Sequence, residues 1–283
     1  MKIIECPRDA MQGIESFIPT DQKTKYINQL LQVGFDTIDF GSFVSPKAIP
    51  QLRDTAEVLE GIEFEGSGSK LLAIVANERG ARDASNFEQI SFLGFPLSIS
   101  ETFQQRNTNK SIPEALNALS EIQSICVGAG KTLVTYISMG FGNPYKDPYD
   151  VSIVEGFVDI LSTLDVKVVS LSDTIGVSTP DQIDYLFKGL LAKYPHIELG
   201  AHLHSNPKSS KEKIEAAYRA GCARFDGALK GWGGCPMAED ELVGNLATET
   251  ILDVLTSHKA RPPINEEELA KALKMADAIF SGR

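Results

Sequence analysis

The chain has 283 residues, 42% of them apolar and 23% charged, with a formal net charge of −11 and no basic cluster. That balance excludes nucleic acid and anionic membrane surfaces as expected partners. No apolar run approaches the roughly 20 residues that span a bilayer, no signal-peptide pattern opens the chain, and four scattered cysteines make no disulfide framework, so a cytoplasmic protein with reduced thiols is expected.

Taken in order, short apolar runs alternate with amphipathic segments. A strand over Lys2–Cys6 leads into Arg8-Asp9, and the helix pattern Asp21–Val33 stops at Gly34. Strands follow over Thr37–Phe40, which carries Asp39 near its end, and over Lys70–Val75 and Gln89–Phe95. The helix pattern Pro113–Val127 stops at Gly128 before a strand over Thr132–Ser138. Helix Tyr149–Leu161 precedes strand Lys167–Leu171, after which come Asp173-Thr174. Helix Pro180–Lys193 precedes strand Glu198–His202, helix Lys208–Ala220 stops at Gly221, and a last strand covers Ala223–Ala228. A glycine-rich loop, Lys230-Gly231-Trp232-Gly233-Gly234-Cys235-Pro236, follows, and Asn265–Phe280 reads as one extra helix.

Eight strands, each followed by a helical segment, predict a TIM (β/α)8 barrel with an extra C-terminal helix, formed by a single domain over residues 1–283. A doubly wound open sheet fits less well, because no G-x-G-x-x-G follows the first strand.

His202 and His204 are two of only four histidines and stand at i and i+2 at a strand end. Alternate residues of a strand face one way, so both imidazoles project together as half of a divalent-metal site. Arg8-Asp9, Asp39, Asp173-Thr174 and the Cys235 loop fall at the same strand ends, where barrel enzymes keep their chemistry. Individually, each has a plainer alternative. Arg8-Asp9 is also compatible with a surface ion pair, Asp39 and Asp173 with helix N-caps, and Asn245 with the cap of a following helix. Five placements at one rim favour an enzyme.

These residues resemble those of the 3-hydroxy-3-methylglutaryl-CoA lyases, a family within the DRE-TIM metallolyase superfamily. The resemblance is carried by Pro7-Arg8-Asp9-Ala10-Met11-Gln12, Gly41-Ser42-Phe43-Val44-Ser45-Pro46-Lys47, Ser172-Asp173-Thr174-Ile175-Gly176 and the His202/His204 pair. Gly233-Gly234-Cys235-Pro236 and Gly244-Asn245-Leu246-Ala247-Thr248-Glu249 complete it, in the family's order along essentially the whole chain. It implies a divalent metal, Mg²⁺ or Mn²⁺, held by Asp9, His202, His204 and Asn245. It also implies cleavage of the acyl-CoA substrate to acetyl-CoA and acetoacetate, a step of leucine degradation and of ketone-body formation.

By position, the resemblance makes Arg8 the group that steadies an enolate and Cys235 the cysteine of a catalytic loop. Asp39 stands where the family usually has a catalytic glutamate, and Gln12 and Asp173 match substrate-pocket residues. Lys47 and Ser100, with the segment to Asn107, face the rim of the expected barrel as further substrate contacts. His202 and Asp39 are the candidates for general base. The chain departs from the family pattern with Cys6 for glycine, His202-Leu203-His204-Ser205-Asn206 for H-C-H-D-T, and a more acidic stretch after Cys235. The alternatives are a superfamily lyase or condensing enzyme acting on another acyl-CoA or 2-oxo acid, or a metal-binding barrel without catalysis. A homodimer is expected, since barrels of this kind often pair through outer helices.

Overall fold

The computed structural model describes residues 1–234 and 243–281. Eight parallel strands close into a barrel: β1 (Lys2–Glu5), β2 (Thr37–Ser42), β3 (Lys70–Ile74), β4 (Ile90–Ser98), β5 (Thr132–Ser138), β6 (Val168–Asp173), β7 (Glu198–Leu203) and β8 (Arg224–Gly227). Each pairs with the next, and β8 pairs with β1 to remove the sheet edges. The predicted strands are all present, β5 with the predicted bounds and the others with shifted ends. β2 runs past Asp39 to Ser42 through a register shift between Asp39 and Gly41, and β4 extends to Ser98.

The long predicted helices are α2 (Thr20–Val33), α6 (Ile112–Gly128), α7 (Val151–Thr163), α8 (Pro180–Lys193), α9 (Ser210–Arg219) and, at the C-terminus, α11 (Glu266–Phe280). Their starts are chemically marked. Ser111 with Glu114 and Thr179 with Gln182 form capping boxes, and Asp150 and Asn265 accept backbone N–H groups of the first turns. Short helices add α1 (Pro7–Gln12), α3 (Thr55–Glu60), α4 (Glu78–Ser85) and α5 (Glu101–Thr108), and α10 (Thr248–Ser257) follows β8. α11 lies outside the barrel on α2, with Phe280 edge-on to Tyr26 at 5.8 Å. No helix among the described residues is long and apolar enough to cross a membrane.

The main apolar core lies between strands and helices, where Ile38, Leu71, Leu93, Val169 and Leu199 meet Leu30, Leu119, Val158 and Leu186. A smaller cluster inside the barrel contains Leu72, Ile74, Val134, Tyr136 and Val168. The barrel is secured at its closing seam by a buried carboxyl. Glu5 on β1 accepts the Leu229 N–H at 2.8 Å and the Thr248 hydroxyl at 2.6 Å, tying the end of β8 and the start of α10 to the first strand.

Burial pushes the Glu5 carboxyl up to about 8, against the pull of those two hydrogen bonds, so the folded protein holds this proton far more tightly than the unfolded chain. The resulting stability is fully present below the ordinary carboxyl value of 4.5 and is lost as pH rises through about 8. Glu5→Gln, which mimics the protonated acid, is therefore expected to flatten the decline of melting temperature between about pH 5 and 8. Melting curves of unchanged slope across that range would contradict this assignment.

Candidate active site and metal centre

The mouth of the barrel gathers charged side chains from β1, β2, β7 and β8. Pro7 occupies the first turn of α1, where its fixed φ suits a helix start, so the chain turns into a helix directly after β1. That turn points Arg8 and Asp9 over the rim. Arg8 is almost wholly buried and donates on three sides: Nη2 and Nε to Asp39 Oδ2 at 2.6 and 3.0 Å, and Nη1 to Asp9 Oδ1 at 2.9 Å and Gln12 Oε1 at 2.7 Å. Gln12, one turn on from Arg8, also donates to Asp9 at 3.0 Å. One guanidinium thus serves two buried carboxylates and leaves a negative charge over.

His202, on β7, and His204, just past its end, share a face as their spacing requires, with their Nε2 atoms 3.3 Å apart. His202 Nδ1 lies 3.2 Å from Asp226 Oδ2, on β8, so that nitrogen carries the proton and the Nε2 lone pair points at the site. Asp9, His202 and His204 offer ligand atoms that all lie within 4.8 Å of one another. A carboxylate and two imidazole nitrogens, with an uncompensated negative charge and a wholly buried His204 Nδ1 that has no partner among the described residues, fit a divalent cation. Asn245 Nδ2 donates to Asp9 Oδ2 at 2.7 Å and to the Trp232 carbonyl at 2.9 Å, which brings it to the same cluster. Gly233 passes so close that a Cβ there would stand 2.8 Å from Asn245 Nδ2 and 2.9 Å from the Asp9 carbonyl, and its φ of +96° favours glycine.

The electrostatics follow from this crowding. Burial raises Asp9, but Arg8, the two histidines and Asn245 overcome it and hold its carboxyl at about 2. Burial likewise raises Asp39, and Arg8 recovers only part of that, leaving it at about 6. His204 is lowered to about 4 by burial and by His202. Burial would lower His202 too, but the hydrogen bond and charge of Asp226 carry it above the ordinary value.

A cavity opens on this cluster. Its polar wall includes Arg8, Asp9, Gln12, His202, His204, Ser138 and Thr174, and its apolar wall includes Val44, Ile49, Ile74, Pro96 and Phe103. Asn107 and Thr108 of α5 also line it, as the rim position of that segment suggested.

Five expected residues lie apart from this lining, one of them Asn245, whose amide is engaged by Asp9 and the Trp232 carbonyl. Asp39 stands behind Arg8. Asp173, the last residue of β6, spends its carboxylate inside the protein: Oδ2 accepts Lys213 Nζ at 2.8 Å and the Ser178 N–H at 3.0 Å, and Oδ1 accepts the Val177 N–H at 2.9 Å. Ser100 is wholly buried as the N-cap of α5, accepting the Phe103 N–H while its hydroxyl donates to Asp147 at 2.5 Å. Lys47 is exposed on the loop after β2. Neither Asp39 nor Asp173 caps a helix, and the N-cap of α10 is Ala247 rather than Asn245. Cys235 lies outside the described residues. Sequence reasoning missed Asp226, Tyr136 and Lys213. Asp226 carries the only legible signal, an acidic residue inside an apolar strand run.

The HMGL-like family model matches residues 2–276. A hydroxymethylglutaryl-CoA lyase, YngG of Bacillus subtilis, is 34% identical over 95% of this chain and 89% of its own length. The mitochondrial hydroxymethylglutaryl-CoA lyase of Bos taurus is 32% identical over 96% of this chain and 83% of its own. Among solved structures, the Bacillus subtilis HMG-CoA lyase superposes with a TM-score of 0.92 at 34% identity, covering 99% of this chain and 93% of that one. An Acinetobacter baumannii HMG-CoA lyase in complex with coenzyme A and 3-methylmalate gives 0.90 at 30% identity, over 99% and 90%.

The order of these proton affinities makes metal binding a one-proton competition. Below the ordinary histidine value of 6.5, His202 is protonated while His204 and Asp9 are not. Mn²⁺ affinity should then fall about tenfold per pH unit on acidification from about pH 6.5 to 5. Calorimetric titration across that range would show a hundredfold fall per unit, or none, if the assignment is wrong.

Proposed function

The chain belongs to the HMGL-like family, and on that footing we propose that it is a carbon–carbon lyase that cleaves 3-hydroxy-3-methylglutaryl-CoA to acetyl-CoA and acetoacetate. The observation that carries this reading is the convergence of Asp9, His202 and His204 beside Arg8 in a cavity with one polar and one apolar wall. An acyl chain with a carboxylate, a tertiary hydroxyl and a methyl group needs both walls. The coenzyme A complex of the Acinetobacter baumannii relative supports an acyl-CoA substrate.

The reaction removes the hydroxyl proton, breaks the bond between the carbinol carbon and the carbon α to the thioester, and leaves a ketone and a thioester enolate. The enolate then takes a proton at carbon to give acetyl-CoA. Asp9, His202, His204 and Asn245 would hold a divalent ion, Mg²⁺ or Mn²⁺, which would supply Lewis acidity toward the substrate hydroxyl. Arg8 borders the cavity, is locked by three carboxyl or amide partners, and stays charged at any working pH, so it meets the enolate oxygen without reorganising. Asp39, behind Arg8, and His202, on the cavity wall, are the two candidates to take the hydroxyl proton. Asp39, at about 6, has the proton affinity that a base needs near neutral pH, while His202 itself lines the cavity. Gln12 contributes a carboxamide to the polar wall. We assign the returning acid to Cys235, from its place in the family motif.

Our reading further takes residues 1–283 as one catalytic domain, the protein as a cytoplasmic homodimer, and the reaction as a step of leucine degradation. Three buried free cysteines, Cys6, Cys126 and Cys222, are consistent with a reducing compartment.

A coupled assay on purified protein is expected to show release of acetoacetate and acetyl-CoA that stops with chelator and returns with Mg²⁺ or Mn²⁺. Turnover of another acyl-CoA but not this one would reassign the substrate. Arg8→Met should lower kcat by about 10²–10³ with Mn²⁺ binding retained, the usual loss for one oxyanion donor; loss of Mn²⁺ would make Arg8 structural. Cys235→Ser should lower kcat far more than it raises KM, and the reverse pattern would remove its role as acid.

A further inference from the structure

Directly beneath the metal centre, the barrel interior holds a guanidinium. Arg224 lies on β8 two residues before Asp226, so both side chains project inward, and it is 1% exposed. Such positions are ordinarily filled by branched apolar side chains, and a buried charge is strongly unfavourable unless balanced. Arg224 Nη1 stands 3.5 Å from Glu198 Oε1, and its Nε 3.9 Å from Asp226 Oδ1. The fold makes room for it: a Cβ on Gly200 of β7 would stand 2.9 Å from Arg224 Cδ. The other oxygen of Asp226 faces His202 Nδ1 at 3.2 Å, and the Tyr136 ring meets the His202 ring edge-on at 5.5 Å.

We propose that Asp226 and Arg224 are positioning residues of the metal centre. Asp226 accepts the Nδ1 proton of His202, which fixes the tautomer and the ring plane so that the Nε2 lone pair faces Asp9 and His204. Arg224 balances the Asp226 charge from below, which allows a carboxylate to persist in the barrel floor. The inference rests on the reading of Asp9, His202 and His204 as ligands of a divalent ion. A buried ion pair kept only for stability would be a poor device, since apolar replacement of such pairs is often neutral or stabilising.

The test is calorimetric titration of Mn²⁺ into the wild-type chain and its variants, with metal-free melting curves alongside. Wild type is expected to bind Mn²⁺ at a site that His204→Ala abolishes. Asp226→Asn, which keeps the shape but not the charge, and Arg224→Met should each weaken binding by about 10–100-fold. Their metal-free melting temperatures should stay close to wild type, and excess Mn²⁺ should restore much of kcat in Asp226→Asn. Arg224→Lys, which keeps the charge, should stay within about threefold of wild-type affinity. Wild-type Mn²⁺ affinity in Asp226→Asn, or in a folded Arg224→Met, overturns the proposal. Failure of the wild-type chain to bind Mn²⁺ would overturn the metal-site reading beneath it.

Discussion

The guanidinium of Arg8 sits between Asp39 and Asp9, and the organisation of the site follows from that sharing. Two buried carboxylates could not persist at the barrel mouth without a cation, because each alone would be protonated by burial. Arg8 satisfies Asp39 through two nitrogens and Asp9 through a third. The hydrogen bonds lock α1 onto β2, so the first helix is set by the site as much as by its own short sequence. A single positive charge between two negative ones also leaves an excess that a metal ion can neutralise. The same arrangement therefore holds both the turn after β1 and the two carboxylates in place.

The opposite side of the site is built from the alternation of a strand. His202 and His204 share a face because β7 is extended, and the partners of their outer nitrogens separate their roles. His202 leans on Asp226 and is the more basic of the pair, while His204, with no partner on Nδ1 among the described residues, stays neutral well into acid. Gly233 brings the loop after β8 across Asp9 and Asn245 at a distance that a side chain would forbid. The start of that loop is thus anchored on Asp9 and Asn245 by backbone contact rather than by bulk.

Much of this was legible before the fold was known, because barrel enzymes place polar residues at strand ends and the strand ends can be read from apolar runs stopped by glycine or charge. Arg8, Asp9, His202, His204 and Asn245 converge as that reasoning expects. Residues whose partners lie far along the chain were not legible. Asp173 looks like a free rim carboxylate until Lys213, forty residues on, is seen to neutralise it. Ser100 reads as a rim hydroxyl, but it caps α5 and binds Asp147. Arg224 and Asp226 look like strand exceptions, and only the closed barrel shows that they sit under the histidines. The short helices α3 and α4 escaped because six or eight residues carry too few apolar positions to define a period.

The proposed chemistry depends on where a cation settles, and His202 faces two donor groups: Asp9 and His204 on one side, Cys6 and Asp226 on the other. Anomalous diffraction from crystals soaked in Mn²⁺ distinguishes them directly. One strong peak within coordination distance of Asp9, His202 and His204 is expected. A peak between Cys6 and Asp226, or none near His202, would contradict it.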